Sequence, residues 1–194
     1  MKLALVGHAV SPDSPDDELV ERMASGDREA LGVLFDRHHQ ALYGFLARTY
    51  PTDDADLDDL VQTAFLEAFR AATRFRAAAS PRTWLFAIGA NLVKMHRRAT
   101  RRRTRAMQRL ADQPERSAPG LDAKLADQRA LARVEAALDE LPHDQRVAYA
   151  MCVIEGVAAD DAARALGVPR GTIWRRVYQA RQVLRAAVDR EPAR

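Results

Sequence analysis

Residues 157–185, VAADDAARALGVPRGTIWRRVYQARQVLR, have the layout of a helix-turn-helix. A short apolar stripe of Ala162, Ala163 and Leu166 runs into Gly167, and a longer basic segment follows. Gly167 has no Cβ and can take the left-handed conformation that ends a helix. Val168 and Ile173 are then placed to pack the two helices together. The second helix presents Thr172, Arg175, Arg176, Gln179 and Arg181, residue types that contact base edges and phosphates. An arginine-rich terminal helix can also be merely a solvated face. The coincidence of a turn glycine with a basic second helix at the motif's spacing favours DNA contact.

Working outward, the remaining pattern is helical, with no alternating strand run and no solenoid period. A short helix is expected after Ser14-Pro15, with Leu19, Val20 and Met23 inward and a stop at Gly26. Asp27 is a suitable cap for the next, whose apolar residues Leu31, Leu34, Phe35, Leu42, Phe45 and Leu46 recur at three and four. Beyond Pro51, residues Leu57, Leu60, Val61, Ala64, Phe65, Ala68 and Phe69 lay out a third amphipathic helix. Small residues from Ala77 to Ser80 precede Pro81, which fits the first turn of a fourth. Trp84, Leu85, Ile88, Leu92 and Met95 are expected on its buried side.

The stretch from Arg109 to Asp127 holds Pro114, Pro119 and Gly120 among polar residues and reads as a flexible linker. Behind it, Leu131, Val134, Leu138 and Leu141 predict a helix ending before Pro142, and Val147, Met151 and Ile154 another closed by Gly156. The expected fold is all-α: a four-helix domain at 16–108, a linker at 109–127 and a second helical domain at 128–190.

Composition and charge narrow the function. Of 194 residues, 47% are apolar and 29% charged, which suits a globular protein able to bury a core. The formal charge is only +3, but its distribution is uneven. Residues 51–67 carry Asp53, Asp54, Asp56, Asp58, Asp59 and Glu67 with no base. Residues 68–105 carry ten arginines and Lys94 with no acid. Such a switch predicts two faces for different partners, the basic one for a polyanion. Phe75, Trp84, Phe86 and Asn91 lie among these bases, and aromatics and amides can hold unstacked bases, as opened DNA requires. Burial of Phe75 and Trp84 in a core is the competing reading.

Three segments in order resemble the sigma-70 family of RNA polymerase sigma factors. Asp59-Leu60-Val61-Gln62 with Phe65 and Phe69 is similar to the family's polymerase-binding helix in region 2. Ser80-Pro81-Arg82-Thr83-Trp84-Leu85-Phe86-Ala87-Ile88-Gly89-Ala90-Asn91-Leu92 resembles the segment that recognises and melts the −10 element. Leu141-Pro142, Glu155-Gly156-Val157 and Ala165 to Ile173 resemble region 4, which reads the −35 element. The short linker leaves no room for a further domain, which brings the chain nearest the small extracytoplasmic-function group.

The resemblance implies that Asp59, Leu60, Val61, Gln62 and Phe65 bind core polymerase. It implies contact with the −10 element by Arg74, Arg76, Ser80, Arg82, Thr83, Trp84, Asn91, Arg97, Arg98 and Arg101. It implies contact with the −35 duplex by Arg170, Thr172, Arg175, Arg176, Gln179 and Arg181. Core RNA polymerase, promoter DNA and an anti-sigma factor are the implied partners. The chain departs from the family's pattern at Thr63, Ala90, Ala158 and Trp174, where an acid, a base, a serine cap and a polar residue are usual.

Enzyme chemistry has no matching signature: there is no Gly-rich phosphate loop, metal-binding His pair or nucleophile motif. His38 and His39 are adjacent and so point in different helical directions, and Cys152 reads as a packed thiol. No cofactor and no metal is expected. No apolar run approaches a membrane span, the opening apolar residues are too few for a signal-peptide core, and a cytoplasmic location is expected. Two alternatives stand beside the sigma reading: a stand-alone helix-turn-helix regulator, and an adaptor that mimics a sigma factor to sequester its inhibitor.

Overall fold

The computed structural model of the chain describes residues 10–50, 54–76, 78–108 and 136–189, and only the backbone at 54 and 100–108. Residues 1–9, the linker expected at 109–127, the start of the helix containing Leu131 and Val134, and the side chain of Arg101 lie outside what is described.

Four helices form the N-terminal bundle: α1 (Asp16–Ala24), α2 (Arg28–Thr49), α3 (Asp54–Ala71) and α4 (Pro81–Gln108), with a 3₁₀ turn at Ala72–Arg74. Asp27 caps α2 as its sequence position suggests, its Oδ1 accepting from the Glu29 N–H at 2.9 Å and the Ala30 N–H at 3.4 Å. Leu34, Leu42, Phe45 and Leu46 of α2 are buried against Leu60, Val61 and Phe65 of α3 and Leu85, Phe86 and Val93 of α4. The Phe45 and Phe86 rings stack 4.6 Å apart at the centre. Gly89 lets α2 and α4 approach closely, since a Cβ there would lie 3.0 Å from Leu46 and 3.1 Å from Leu42.

The C-terminal bundle comprises α5 (136–140), α6 (His143–Tyr149), α7 (Ala159–Leu166) and α8 (Arg170–Asp189). Arg146 of α6 is buried and its guanidinium donates to the carbonyls of Asp139 and Leu141 at the end of α5. Those carbonyls would otherwise lack partners at a helix C-terminus. Leu141 and Ala137 pack with Ala180 and Leu184 of α8.

Two sequence expectations need correction. Met95 is 64% exposed, because the buried side of α4 runs through Leu85, Phe86, Ala90 and Val93. Ile154 is also outward: α6 ends in a π turn over Ala150–Ile154, with the Glu155 N–H bonded to the Ala150 carbonyl at 2.9 Å. The extra residue in that turn shifts the apolar register established by Val147 and Met151.

The two bundles are not separate cores. Val147, Met151, Ala162, Ile173 and Val177 belong to the same buried cluster as Phe45, Phe86 and Val93, and α7 packs against α4. Among the described residues, no helix is long and apolar enough to cross a membrane.

Candidate nucleic-acid and protein interfaces

The helix-turn-helix forms as its sequence predicts. Gly167 sits at φ 65° and ψ 36°, the left-handed region, and its N–H closes onto the Arg164 carbonyl. Ala158, at the N-cap of α7, supplies no side-chain hydrogen bond. Asp160 and Asp161 instead place charge in the first turn, where the helix dipole favours it, and Asp160 also pairs with Arg170 at 3.1 Å. On α8 the buried residues Ile173, Val177, Ala180 and Leu184 recur at four, three and four. Arg170, Arg175, Gln179 and Arg181 are consequently exposed, and Thr172 is half-buried. Arg176 lies on the flank, bonded to Asp144 of α6 at 2.8 Å, while Gln179 accepts from Gln145 at 3.2 Å.

Sequence reasoning left two residues of this surface unassigned. Trp174 is 53% exposed and Tyr178 64%, one turn apart on α8 beside Arg175. The signal was available: neither falls in the 173, 177, 180, 184 series that must face the core.

On the N-terminal bundle, Arg74 and Arg76 are exposed at the end of the 3₁₀ turn. With Phe75 and Trp84 they line a cavity of about 240 Å³, the two rings tilted 4.9 Å apart. Trp84 is half-buried, packed against Phe75 and the core with the rest of its ring open. Ser80 and Thr83 act together at the start of α4: the Thr83 N–H donates to Ser80 Oγ at 3.2 Å, and the two hydroxyls lie 2.9 Å apart. Thr83 is buried by this cap and has no surface for DNA. Asn91 and Arg98 are exposed at seven-residue spacing from Trp84, on the strip that also holds Met95, while Arg82 and Arg97 are half-buried beside it.

The expected polymerase face of α3 is rearranged. Asp59 and Gln62 are exposed, but Leu60, Val61 and Phe65 are buried, with Phe65 edge-on to Phe35 at 4.9 Å. Those three cannot supply the open apolar surface expected of them, because they point into the core. Leu66, 51% exposed, shares the outer face with Asp59 and Gln62 at spacings of seven and four. A groove of about 200 Å³ between α2 and α3, lined by Phe35, Tyr43, Val61 and Gln62, lies alongside.

Cys152 is half-buried, and burial pushes its thiol above the ordinary range. His38 bonds to Asp16 at 2.6 Å and His39 to the Phe35 carbonyl at 3.0 Å, so the adjacent histidines are held apart. No group of three or more His, Cys, Asp or Glu among the described residues is placed to hold a metal.

The described residues form helices and their turns, with a basic helix-turn-helix in the C-terminal bundle and, where the two bundles meet, a cavity in which Arg74, Arg76 and Arg164 surround Phe75 and Trp84; these are the features of a DNA-binding transcription factor. Its family follows from comparison with known proteins. Residues 34–103 match the family model for Sigma-70 region 2, and residues 131–184 that for Sigma-70, region 4. The ECF RNA polymerase sigma factor SigC of Mycobacterium tuberculosis is 36% identical over 181 residues, covering 91% of this chain and 94% of the relative. The RNA polymerase sigma-H factor of Pseudomonas aeruginosa is 30% identical over 182 residues, covering 90% and 94%.

Among solved structures, CnrH in complex with the cytosolic domain of CnrY superposes with a TM-score of 0.63 at 28% identity, over 90% of this chain and 97% of that one. The sigma factor RpoE in complex with the anti-sigma factor NepR from Bartonella quintana gives 0.59 at 27%, over 78% and 93%. The chain belongs to the extracytoplasmic-function group of the sigma-70 family.

Proposed function

We propose that this chain joins core RNA polymerase and directs promoter-specific initiation, acting in the cytoplasm without catalytic chemistry or cofactor of its own. The observation that carries the reading is the separation of surfaces: an outward polar face on α3 for protein, and outward bases on α4 and α8 for DNA. Asp59, Gln62 and Leu66 form the polymerase contact, with Val61 reached only through the groove beside α2. Arg74, Arg76, Trp84 and Asn91 take the −10 element, with Arg82, Arg97, Arg98 and Arg101 on its phosphates. The exposed turns of α8 take the −35 element. Residues 16–108 and 128–190 are assigned to the two domains and 109–127 to the linker. An anti-sigma partner is proposed by analogy with RpoE, which was captured with NepR.

Run-off transcription with core enzyme and a promoter library tests this. Specific transcripts are expected only when chain and core are both present. Sequence-specific binding to promoter duplex without core would instead identify a stand-alone regulator, and inhibitor binding without transcripts a sequestering adaptor. The double change Asp59→Ala, Gln62→Ala is expected to weaken core binding by roughly 1–4 kcal/mol with helicity unchanged. Undiminished competition for core by that variant overturns the α3 assignment.

A further inference from the structure

We propose that Trp174 and Tyr178 read thymine methyl groups in the −35 duplex, so that the promoter preference of this chain is set by aromatic contact as well as by Arg175. The inference rests on the assignment of α8 to the −35 element and adds to it the chemical group that is recognised.

The buried series Ile173, Val177, Ala180 and Leu184 fixes the rotation of α8. Residues three, four and seven apart share one side of a helix, and with that rotation Gly171, Trp174, Arg175 and Tyr178 make up the outward side of its first half. All four are exposed, and the two rings are more than half open to water. The N-terminal half of the second helix is the part that a helix-turn-helix sets against base edges in the major groove.

The polar neighbours on α8 are engaged inside their own bundle. Arg170 pairs with Asp160 at 3.1 Å, Arg176 pairs with Asp144 at 2.8 Å, and Gln179 accepts from Gln145 at 3.2 Å. Among the described residues, Trp174, Arg175 and Tyr178 have no such partner. Gly171 completes the face by adding nothing to it. A Cβ there would meet no protein atom within 4 Å, so packing does not demand a glycine at this point. A bare backbone beside two rings lets a groove wall come close.

Large apolar groups left together in water mark a contact surface. The charge around these two selects a polyanion for it: α8 carries Arg170, Arg175, Arg176, Arg181 and Arg185, with no acid before Asp189. In a closed duplex the bases are stacked and their faces are shut to an aromatic ring. That distinguishes this pair from Phe75 and Trp84, whose cavity suits an unstacked base. What the major groove offers a ring is the C5 methyl of thymine, its one apolar group. Against any other base edge a ring would leave donors or acceptors without partners. Trp174 and Tyr178 are four residues apart, about 6 Å along the helix, which spans about two base pairs. Arg175 lies between them and is suited to a guanine. The expected −35 element therefore sets thymine within a step or two of that guanine.

The test uses holoenzyme reconstituted from the full chain and core polymerase, on a promoter recovered from the run-off library. Each −35 thymine, on either strand, is replaced in turn by deoxyuridine, which lacks only the C5 methyl. The wild type is expected to bind about fourfold more weakly at one or two of these positions, the value of burying one methyl group. Trp174→Ala and Tyr178→Ala are each expected to bind the unmodified promoter more weakly and to lose the preference for thymine at one position, with core binding unchanged. Tyr178→Phe is expected to keep it, because the ring and not the hydroxyl makes the contact. A −35 element without thymine, equal binding of thymine and deoxyuridine by the wild type at every position, or a preference that survives both alanine changes overturns the inference. Weakened core binding by either alanine variant, with the thymine preference intact, would assign the rings to a protein instead. Absence of run-off transcripts from the unmodified promoter would refute the sigma reading. The same substitutions in a duplex selected by the free chain would then decide the methyl contact.

Discussion

The two arginine-rich helices α4 and α8 are assigned the same kind of polyanion but are built differently. In its first four turns α4 buries Thr83, Leu85, Phe86, Ala87, Ala90 and Val93, leaving a narrow outward strip that includes Asn91. In α8 the buried series is one residue per turn, and most of the circumference is open. A substitution in α4 therefore mixes folding with recognition, whereas in α8 the two are separable by register. The difference follows from position. The N-terminal bundle packs around α4, while α8 lies at one side of its bundle with Arg175, Tyr178 and Gln179 facing solvent.

The sharpest way to break that comparison is a pair of truncations. Phe86 is fully buried and stacked on Phe45, so Phe86→Ala is expected to cost about 3–5 kcal/mol of stability. Trp174→Ala removes a similarly large aromatic from α8 and is expected to change stability by no more than about 0.5 kcal/mol, because the ring covers little of the folded chain. Its effect is expected in promoter affinity, through lost apolar contact with thymine methyls. Chemical denaturation of both variants checks this, and comparable losses would mean that α8 is tied into the core as firmly as α4.

An intermediate effect distinguishes neighbours within α8. Arg175 is outward, whereas Arg176 is flanking and engaged with Asp144. Arg175→Ala is expected to cost the holoenzyme about 1–3 kcal/mol and to relax preference at one −35 position. Arg176→Ala is expected to weaken all promoters similarly and to lower the salt slope by about 1. Affinity measured against salt on single-base variants separates the two; the reverse pattern would mean that the helix presents another side to the groove.

The sequence made the helices legible because their apolar spacing is regular and their punctuation is chemically specific. Asp27, Pro81 and Gly167 each do what their chemistry suggests. Exposure was less legible than helix position. Leu60, Val61 and Phe65 carry a family motif, but they also complete the core stripe of α3, and the core takes them. Leu66 had no motif to point to it, yet the same periodicity places it outward. The π turn was not legible, since one inserted residue in a short helix leaves no mark on so brief a pattern. Nor was the contact between the bundles, because Glu155 and Asp144 meet partners of the N-terminal bundle 50 to 107 residues away, with nothing local to announce them.

The smallest expected effect concerns pH and tests whether the bundles part as units. His143 of α6 donates from Nε2 to the Ala90 carbonyl of α4 at 3.0 Å, and its buried Nδ1 has no partner. Burial pushes this imidazole below its ordinary range; the Ala90 hydrogen bond and Asp144 oppose the shift, and Arg97 and Lys94 of α4 add to it. Asp139 and Glu140 line the same cavity of about 540 Å³. If opening returns the ring to water, its pKa rises to the ordinary value near 6.5. The open form then binds a proton that the closed form refuses, so closure weakens as pH falls through about 6.5 and stops weakening below the closed-state value. Asp144 acts in a lower window. Burial raises its carboxyl, but Lys94 and Arg176 outweigh that and hold it below the usual range, so its contribution is lost only under stronger acid. Between pH 8 and 5.5 the change therefore belongs to His143. A label pair spanning α4 and α6 is expected to report a modest increase in separation on acidification, absent in His143→Gln. An unchanged distance in the wild type would mean that His143 keeps its partners at every pH tested, and hence that the bundles do not part there.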